Sequence, residues 1–269
     1  TARTKLVEWK SLDEQIGIPD SPMFQRLDES RTGINFGFKW DPPERYRWHF
    51  DNAVGGGVAI GDYDGDGRPD IYLTRAFGGG SLYRNLGNFR FENVTDKAGL
   101  SNDGNWEMGA TFADINNDGN LDLFICGYDS PNRLYLNQGN GTFVERAKES
   151  GLNYKGSSVM MAFADYDRDG DLDAYLLTNR YIPAKGKIIE ASLKKKGGRL
   201  VIPDEVAELV DIMIKPDGRE KVIKIGQADL LYRNNGDGTF SNVTDQAKIT
   251  GRDMGLGVVW WDYDHDGWP

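Results

Sequence analysis

Four segments of the 269-residue chain place aspartates on alternate positions ahead of a glycine. They are Asp62-Tyr-Asp64-Gly-Asp66-Gly67-Arg68-Pro-Asp70, Asp114-Ile-Asn116-Asn-Asp118-Gly119-Asn120-Leu-Asp122, Asp165-Tyr-Asp167-Arg-Asp169-Gly170-Asp171-Leu-Asp173 and Asp262-Tyr-Asp264-His-Asp266-Gly267-Trp268-Pro269. Carboxylates packed this closely repel one another unless a cation sits among them. Positions 1, 3 and 5 can turn oxygens inward, and glycine at position 6 permits the sharp turn because it tolerates positive φ. The position-7 carbonyls of Arg68, Asn120, Asp171 and Trp268 can then face the ion, and the ninth-position Asp70, Asp122 and Asp173 close the shell. An all-oxygen set without His or Cys disfavours zinc and copper. Magnesium requires a smaller, more rigid octahedron, whereas calcium accepts six to eight oxygens at roughly 2.3–2.6 Å. One Ca²⁺ per loop is the expectation, with three complete sites and a fourth cut off before its ninth position. The second loop is the weakest of these, because Asn116 replaces an aspartate.

An EF-hand loop begins in the same way but needs a glutamate at position 12 and a helix on each side. Position 12 here is Leu73, Ile125 or Leu176, and the flanks (Val-Ala-Ile-Gly, Ile-Tyr-Leu-Thr, Leu-Phe-Ile-Cys) are short runs of β-formers. The loops are therefore expected in β-hairpins. Plain Asp/Gly turns would account for one such loop, but they do not call for a carboxylate at position 9 in repeated copies.

The elements that position the loops follow from their spacing. Loop starts at 62, 114 and 165 lie 52 and 51 residues apart, and the next start, 262, follows after 97. A second block, Leu-Tyr-x-Asn followed by a Gly turn and Phe, recurs at Leu82–Phe91, Leu134–Phe143 and Leu231–Phe240. One unit thus holds four short strands in about 50 residues, the signature of propeller blades. The fold class expected is all-β, a β-propeller of four-stranded blades, with three complete blades and part of a fourth. Propellers need about four to eight blades to close, so further blades are expected beyond Pro269. Residues 1–50 form an N-terminal segment in which 22–34 resemble the last strand and tail of a blade and are expected to supply a blade-closing strand. Blades occupy 51–269, with an insertion at 181–226 inside the third.

Gly61-Asp-Tyr-Asp-Gly-Asp-Gly-Arg-Pro-Asp-Ile-Tyr-Leu, followed by Leu-Tyr-Arg-Asn-x-Gly-x-x-x-Phe, resembles the FG-GAP/VCBS repeats of integrin α-subunit propellers and their bacterial relatives. With Gly55-Gly-Gly-Val-Ala-Ile and Asp245-Gln-Ala-Lys-Ile, the chain looks most like secreted VCBS proteins related to cartilage acidic protein, which often carry an ASPIC/UnbV segment. The resemblance covers about residues 22–180 and 227–269. It implies a seven-bladed or similar propeller with calcium in its hairpins, usually outside the cell and serving recognition or adhesion. No catalytic residue carries over from it.

The net charge is −10, and the four loops hold more aspartates than that deficit. The acidity is metal chemistry, which makes nucleic acid a poor partner. No apolar run reaches the 18–20 residues of a membrane span. Cys126 follows Leu-Phe-Ile and reads as a buried small hydrophobe. Extracellular-type calcium sites, with Kd of roughly 10⁻⁴–10⁻³ M, fill outside cells and stay empty in cytosol. A secreted, cell-surface or periplasmic location is expected. Asn93-Val-Thr95, Asn140-Gly-Thr142 and Asn242-Val-Thr244 fit the glycosylation pattern, but two sit at equivalent repeat positions, which points to repeat grammar. Trp260 and Trp106 are expected in the core.

The insertion carries Lys185, Lys187, Lys194, Lys195, Lys196 and Arg199. Beyond Pro203, residues Val206, Leu209, Val210 and Met213 fall at helical spacing, so a helix is expected there with a hairpin near Asp217-Gly218. The plain reading is a solvated appendage, and the sharper one an element that docks a partner. Recognition of a protein or polysaccharide is the leading functional expectation. An enzyme acting on acidic polysaccharides, lyase-like, is the alternative, although His49 and His265 sit in no catalytic constellation. A structural subunit of a larger assembly is the third reading.

Overall fold

The computed structural model describes residues 24–37, 56–100, 104–180, 194–207, 210–252, 254–262, 264 and 266–267. Within them the fold is nearly all β. The first blade is an antiparallel meander of β1 (Val58–Gly61), β2 (Asp70–Leu73), β3 (Ser81–Gly87) and β4 (Arg90–Asn93). The second comprises β5 (Trp106–Ala113), β6 (Asp122–Pro131), β7 (Arg133–Asn137) and β8 (Phe143–Glu145). The third begins with β9 (Lys155–Ala164) and β10 (Asp173–Thr178). Four insertion strands follow, β11 (Lys194–Lys196), β12 (Arg199–Val201), β13 (Val210–Ile214) and β14 (Glu220–Lys224). The third blade then resumes with β15 (Leu230–Asn234) and β16 (Phe240–Asn242), and β15 pairs directly with β10. Each acidic loop joins a blade's first and second strands, as in Gly61 opposite Asp70, Ala113 opposite Asp122 and Ala164 opposite Asp173. The propeller-blade architecture expected from the spacing is the architecture found.

Strand alternation distributes the core between neighbouring blades. In β6 the run Leu123-Phe-Ile-Cys126 is buried throughout. Leu123 and Ile125 join Ala59, Tyr72, Leu82 and Phe143 on the blade-1 side. Phe124 and Cys126 join Trp106, Met161, Leu176 and Tyr232 on the blade-3 side. A strand buried on both faces loses its polar alternation, which is why this run is apolar from end to end. Each such side chain contributes roughly 1.5–3 kcal/mol of transfer free energy. Trp106 is buried between Phe77 and Tyr128, with ring centroids 4.9 and 4.6 Å away. Burial pushes the Cys126 thiol up, leaving it inert at neutral pH.

The turns that follow β4 and β8, and the one at Glu29–Thr32, end on a left-handed glycine, whereas the turn after β16 has Lys248 there at φ 58°. Gly33, Gly99 and Gly151 have φ of 74°, 75° and 78°. A Cβ on them would lie 2.5, 3.3 and 3.1 Å from the carbonyl oxygens of Phe91, Phe143 and Phe240 on the next blade's fourth strand. Glycine is therefore required twice over, by conformation and by contact. Asn-x-Thr belongs to the same device. Asn93 and Asn242 accept the backbone N–H of Thr95 and Thr244, whose hydroxyls accept the N–H of Leu82 and Leu231. These sequons are turn locks.

Two expectations are corrected. Residues 24–34 hold no strand, and residues 22 and 23 lie outside the described ones. The tail half of the comparison is seen instead. Helix α1 (Glu29–Thr32), capped by Asp28 and closed by Gly33, sits against β4 as Gly99 sits against β8. Tyr83 donates to the Asn35 carbonyl at 3.0 Å, and the Arg75 guanidinium lies 4.3 Å above the Phe36 ring. In the insertion, the helix expected beyond Pro203 is only a 3-10 turn, Asp204–Val206, and Val210–Ile214 is a strand paired with Glu220–Lys224. Val210, Ile212 and Ile214 also fit a period of two, and β-branched residues beside the Lys215-Pro-Asp-Gly turn favour the hairpin. The helical spacing of Val206 and Val210 reflects a small cluster, in which the two pack with Ile202 and Val222.

Candidate metal centre

The three described hairpin loops share one hydrogen-bonding frame. The first aspartate accepts the N–H groups of positions 5 and 6. Asp62 takes Asp66 and Gly67 at 3.0 and 2.8 Å, Asp114 takes Asp118 and Gly119 at 3.0 and 2.9 Å, and Asp165 takes Asp169 and Gly170 at 3.1 and 3.1 Å. The fifth-position carboxylate then accepts the N–H of position 7, as Asp66 does from Arg68 at 3.0 Å. Position-6 glycines 67, 119 and 170 have φ of 83°, 87° and 97°, which leaves this frame to glycine. Asp262 repeats the position-6 contact, accepting from Gly267 at 2.8 Å, while the Asp266 N–H goes to Asp264 at 3.3 Å.

The ninth-position aspartate ties the hairpin to the third strand. Asp70, Asp122 and Asp173 are fully buried. One oxygen of each accepts the N–H of loop position 2, from Tyr63, Ile115 or Tyr166, at 3.1, 3.0 and 3.1 Å. The other accepts the N–H of the Leu-Tyr-x-Asn asparagine at 2.7, 2.8 and 2.8 Å. That asparagine is a site residue the sequence reasoning missed. The amides of Asn85, Asn137 and Asn234 reach carbonyls beside their own blade's ninth aspartate. Asn137 also donates to Tyr63 O at 2.7 Å and Asn234 to Ile115 O at 3.2 Å, each on the preceding blade's loop. Its place in the recurring Leu-Tyr-x-Asn block, 15 residues after the ninth aspartate in the first two blades, was the available signal. Burial pushes the three carboxyl groups up to about 6, although the two backbone N–H bonds to each pull the other way.

Carboxylate oxygens converge within 4.8 Å in three of the four loops, at Asp62/Asp64/Asp66, Asp165/Asp167/Asp173 and Asp262/Asp264/Asp266. The second loop gathers no such trio among the described residues. Asn116 there donates to Asp118 at 3.0 Å, giving that carboxylate a neutral partner. Asp167 Oδ1 and Asp262 Oδ1 are buried and accept no hydrogen bond. A buried carboxylate oxygen without a donor is costly, and a hard cation is the partner its chemistry calls for. The donor set of the third and fourth loops therefore fits calcium. Bound there, calcium would cancel the repulsion among the carboxylates and tie both hairpin strands to one centre.

Loop 1 differs. Arg84, projecting from β3, places Nε 2.6 Å from Asp64 Oδ2 and a terminal nitrogen 3.3 Å from Asp66 Oδ2. Arg68 also pairs with Asp66, and its Nε donates to Asn85 O at 2.9 Å. The loops are further linked through position 4. Asn117, at φ 57°, donates to Gly170 O at 3.0 Å and to Asp171 Oδ1 at 2.8 Å in loop 3. Arg168, at φ 62°, donates to Asp266 O at 3.2 Å in loop 4. Position 4 of loop 1 is Gly65, which has no side chain to reach onward. Trp268 and His265 lie outside the described residues. Trp260, expected in the core, is half-buried, stacking on Tyr166 at 6.4 Å and donating to Ala162 O at 3.2 Å.

Four-stranded meanders opened by acidic hairpin loops, and packed through both faces of their strands, define an array of β-propeller blades. The family model of the FG-GAP-like repeat matches residues 62–125 and 114–176. Among curated proteins it is similar to cartilage acidic protein 1 of Mus musculus, 25% identical over 155 residues, covering 56% of this chain and 24% of the relative. The Homo sapiens protein of that name is 23% identical over 152 residues, covering 56% and 23%. For Xenopus tropicalis the identity is 24% over 123 residues, covering 45% and 19%. The match thus spans less than a quarter of the length of these relatives. A solved structure of an Agrocybe aegerita lectin that recognises non-reducing terminal N-acetylglucosamine aligns at 21% identity with a TM-score of 0.28, over 70% of this chain and 51% of that one. Among the described residues no helix is long and apolar enough to cross a membrane.

Proposed function

We propose that this chain is part of a calcium-stabilised propeller that serves as a recognition or adhesion module outside the cytosol, with protein or polysaccharide as its ligand. The observation that carries this reading is the pair of buried carboxylate oxygens, Asp167 Oδ1 and Asp262 Oδ1, left without a hydrogen-bond donor in loops where three carboxylates converge. The FG-GAP-like repeat matches support it, and so does the similarity to cartilage acidic protein 1. Millimolar calcium outside cells would fill weak sites of this type, and cytosol would leave them empty.

Differential scanning calorimetry with and without millimolar calcium tests the metal. Only the folded loops present the shell, so calcium at about ten times Kd adds about 1.4 kcal/mol per site, seen as a rise in Tm. A Tm indifferent to chelator removes the reading. Binding to arrayed acidic and neutral glycans and to extracellular proteins, in calcium and in chelator, tests recognition. Cleavage of an acidic glycan in that screen would replace recognition with catalysis.

A further inference from the structure

We propose that the Arg84 guanidinium is the resident cation of loop 1, so that blade 1 keeps its acidic hairpin closed without calcium and binds the ion more weakly than blade 3. The inference rests on the calcium reading above and extends it to a difference between blades.

Geometry separates the two loops. In loop 1, Arg84 lies against the third- and fifth-position carboxylates, and Arg68 from position 7 adds a second guanidinium on Asp66. Asp64 retains only 11% of its side-chain exposure beneath this cover. In loop 3 the third-position carboxylate, Asp167, keeps Oδ1 buried and without a hydrogen bond. Arg233 occupies the register of Arg84, yet it is exposed and makes no ion pair among the described residues. Position 7 also differs between the two loops. Arg68 in loop 1 anchors to Asn85 O and concentrates positive charge on the loop, whereas Asp171 in loop 3 is acidic and is held by Asn117. A calcium ion entering loop 1 has to displace a paired guanidinium from the oxygens it needs, and affinity at such sites is set by the charge the ligands offer. Blade 2 supplies the natural comparison, with Leu136 at the same register.

Isothermal calorimetry of calcium binding to the whole chain decides the matter, using wild type, Arg84→Leu, Arg84→Lys and Arg84→Leu with Asp64→Asn. Arg84→Leu is expected to tighten one calcium equivalent by about tenfold. Arg84→Lys keeps the charge and stays near wild type. Asp64→Asn in the Arg84→Leu background cancels the gain. In chelator Arg84→Leu melts below wild type, and calcium narrows the difference. If Arg84→Leu leaves every calcium class within twofold of wild type, with an unchanged circular dichroism spectrum, the inference is overturned while the calcium reading stands. If neither wild type nor variant binds calcium, both fall together. Should Arg84→Leu fail to fold, Arg84→Gln carries the same test with the same outcomes.

Discussion

Loops 1 and 3 are built on the same nine-residue frame, yet they handle their charge in opposite ways. Loop 1 meets its carboxylates with Arg84 and Arg68, and its Gly65 has no side chain to reach the next loop. Loop 3 leaves Asp167 Oδ1 without a donor, receives Asn117 from loop 2 and extends Arg168 to loop 4. Shared hydrogen bonds therefore make the hairpin, and the residues outside that frame set the charge around its carboxylates. Arg168 holds a left-handed φ at a position where loop 1 has glycine, a conformation that costs of order 1 kcal/mol. Its bond to the next loop gives that strained position a use.

The largest break in this comparison should come from the ninth position. Asp173→Ala strands two backbone donors, Tyr166 and Asn234, at about 1–3 kcal/mol each. Asp70→Ala does the same to Tyr63 and Asn85. In chelator the two variants should lose similar stability by urea denaturation. In calcium Asp173→Ala should lose more, because it also forfeits an ion that loop 1 needs less. Equal losses in calcium would erase the distinction between the loops.

A smaller effect concerns pH. Burial raises Asp70, Asp122 and Asp173 to about 6 from an ordinary 3.8. A carboxyl group raised in the folded state favours folding while it is protonated, so its contribution is full below about 4 and is lost as pH climbs through 6. In chelator, Asp122→Asn should therefore flatten the fall in Tm over that window relative to wild type, although the variant is less stable throughout. A fall as steep as wild type's would show that this carboxyl group is not its source.

The smallest effect is the link between loops. Asn117→Ala removes two exposed hydrogen bonds to loop 3, worth about 0.5–1.5 kcal/mol each at most. It should weaken calcium binding at loop 3 by a few-fold while leaving loop 1 unchanged, as read by calorimetry in an Arg84→Leu background. An equal change at both loops would mean the link is not local.

Much of this was legible in the sequence because the signal is repeated. Asp-x-Asp-x-Asp-Gly at a 51–52-residue interval marks the hairpins, and Leu-Tyr-x-Asn marks the third strand. What was not legible depends on register in three dimensions. Arg84 and Arg233 are the same residue in the same motif, yet the first is paired with its loop's carboxylates and the second is exposed. Asp70, Asp122 and Asp173 were read as ligands that close a metal shell, whereas their oxygens also hold two strands together. A carboxylate offers about four lone-pair sites, so both duties fit one residue. The insertion misled for another reason. A few apolar residues at a spacing of four also satisfy a period of two, and the hairpin partner at Glu220–Lys224 settles which one applies.

The insertion leaves and re-enters blade 3 through a clamp. Thr178 donates its N–H to Asp229 at 2.7 Å and its hydroxyl to Gln227 O at 2.8 Å, Gln227 donates to Asn179 O at 3.0 Å, and Ser157 donates to the Gln227 side chain at 2.7 Å. The two ends are thus fastened to each other and to the first strand independently of what runs between them. Lengthening a flexible connection costs only about 0.6 kcal/mol per doubling. The blade therefore has a docking port in its backbone. Other sequences can be spliced in between Asn179 and Gln227, a reporter or a whole domain among them, and the acidic loop on the opposite end of β10 need not register the exchange.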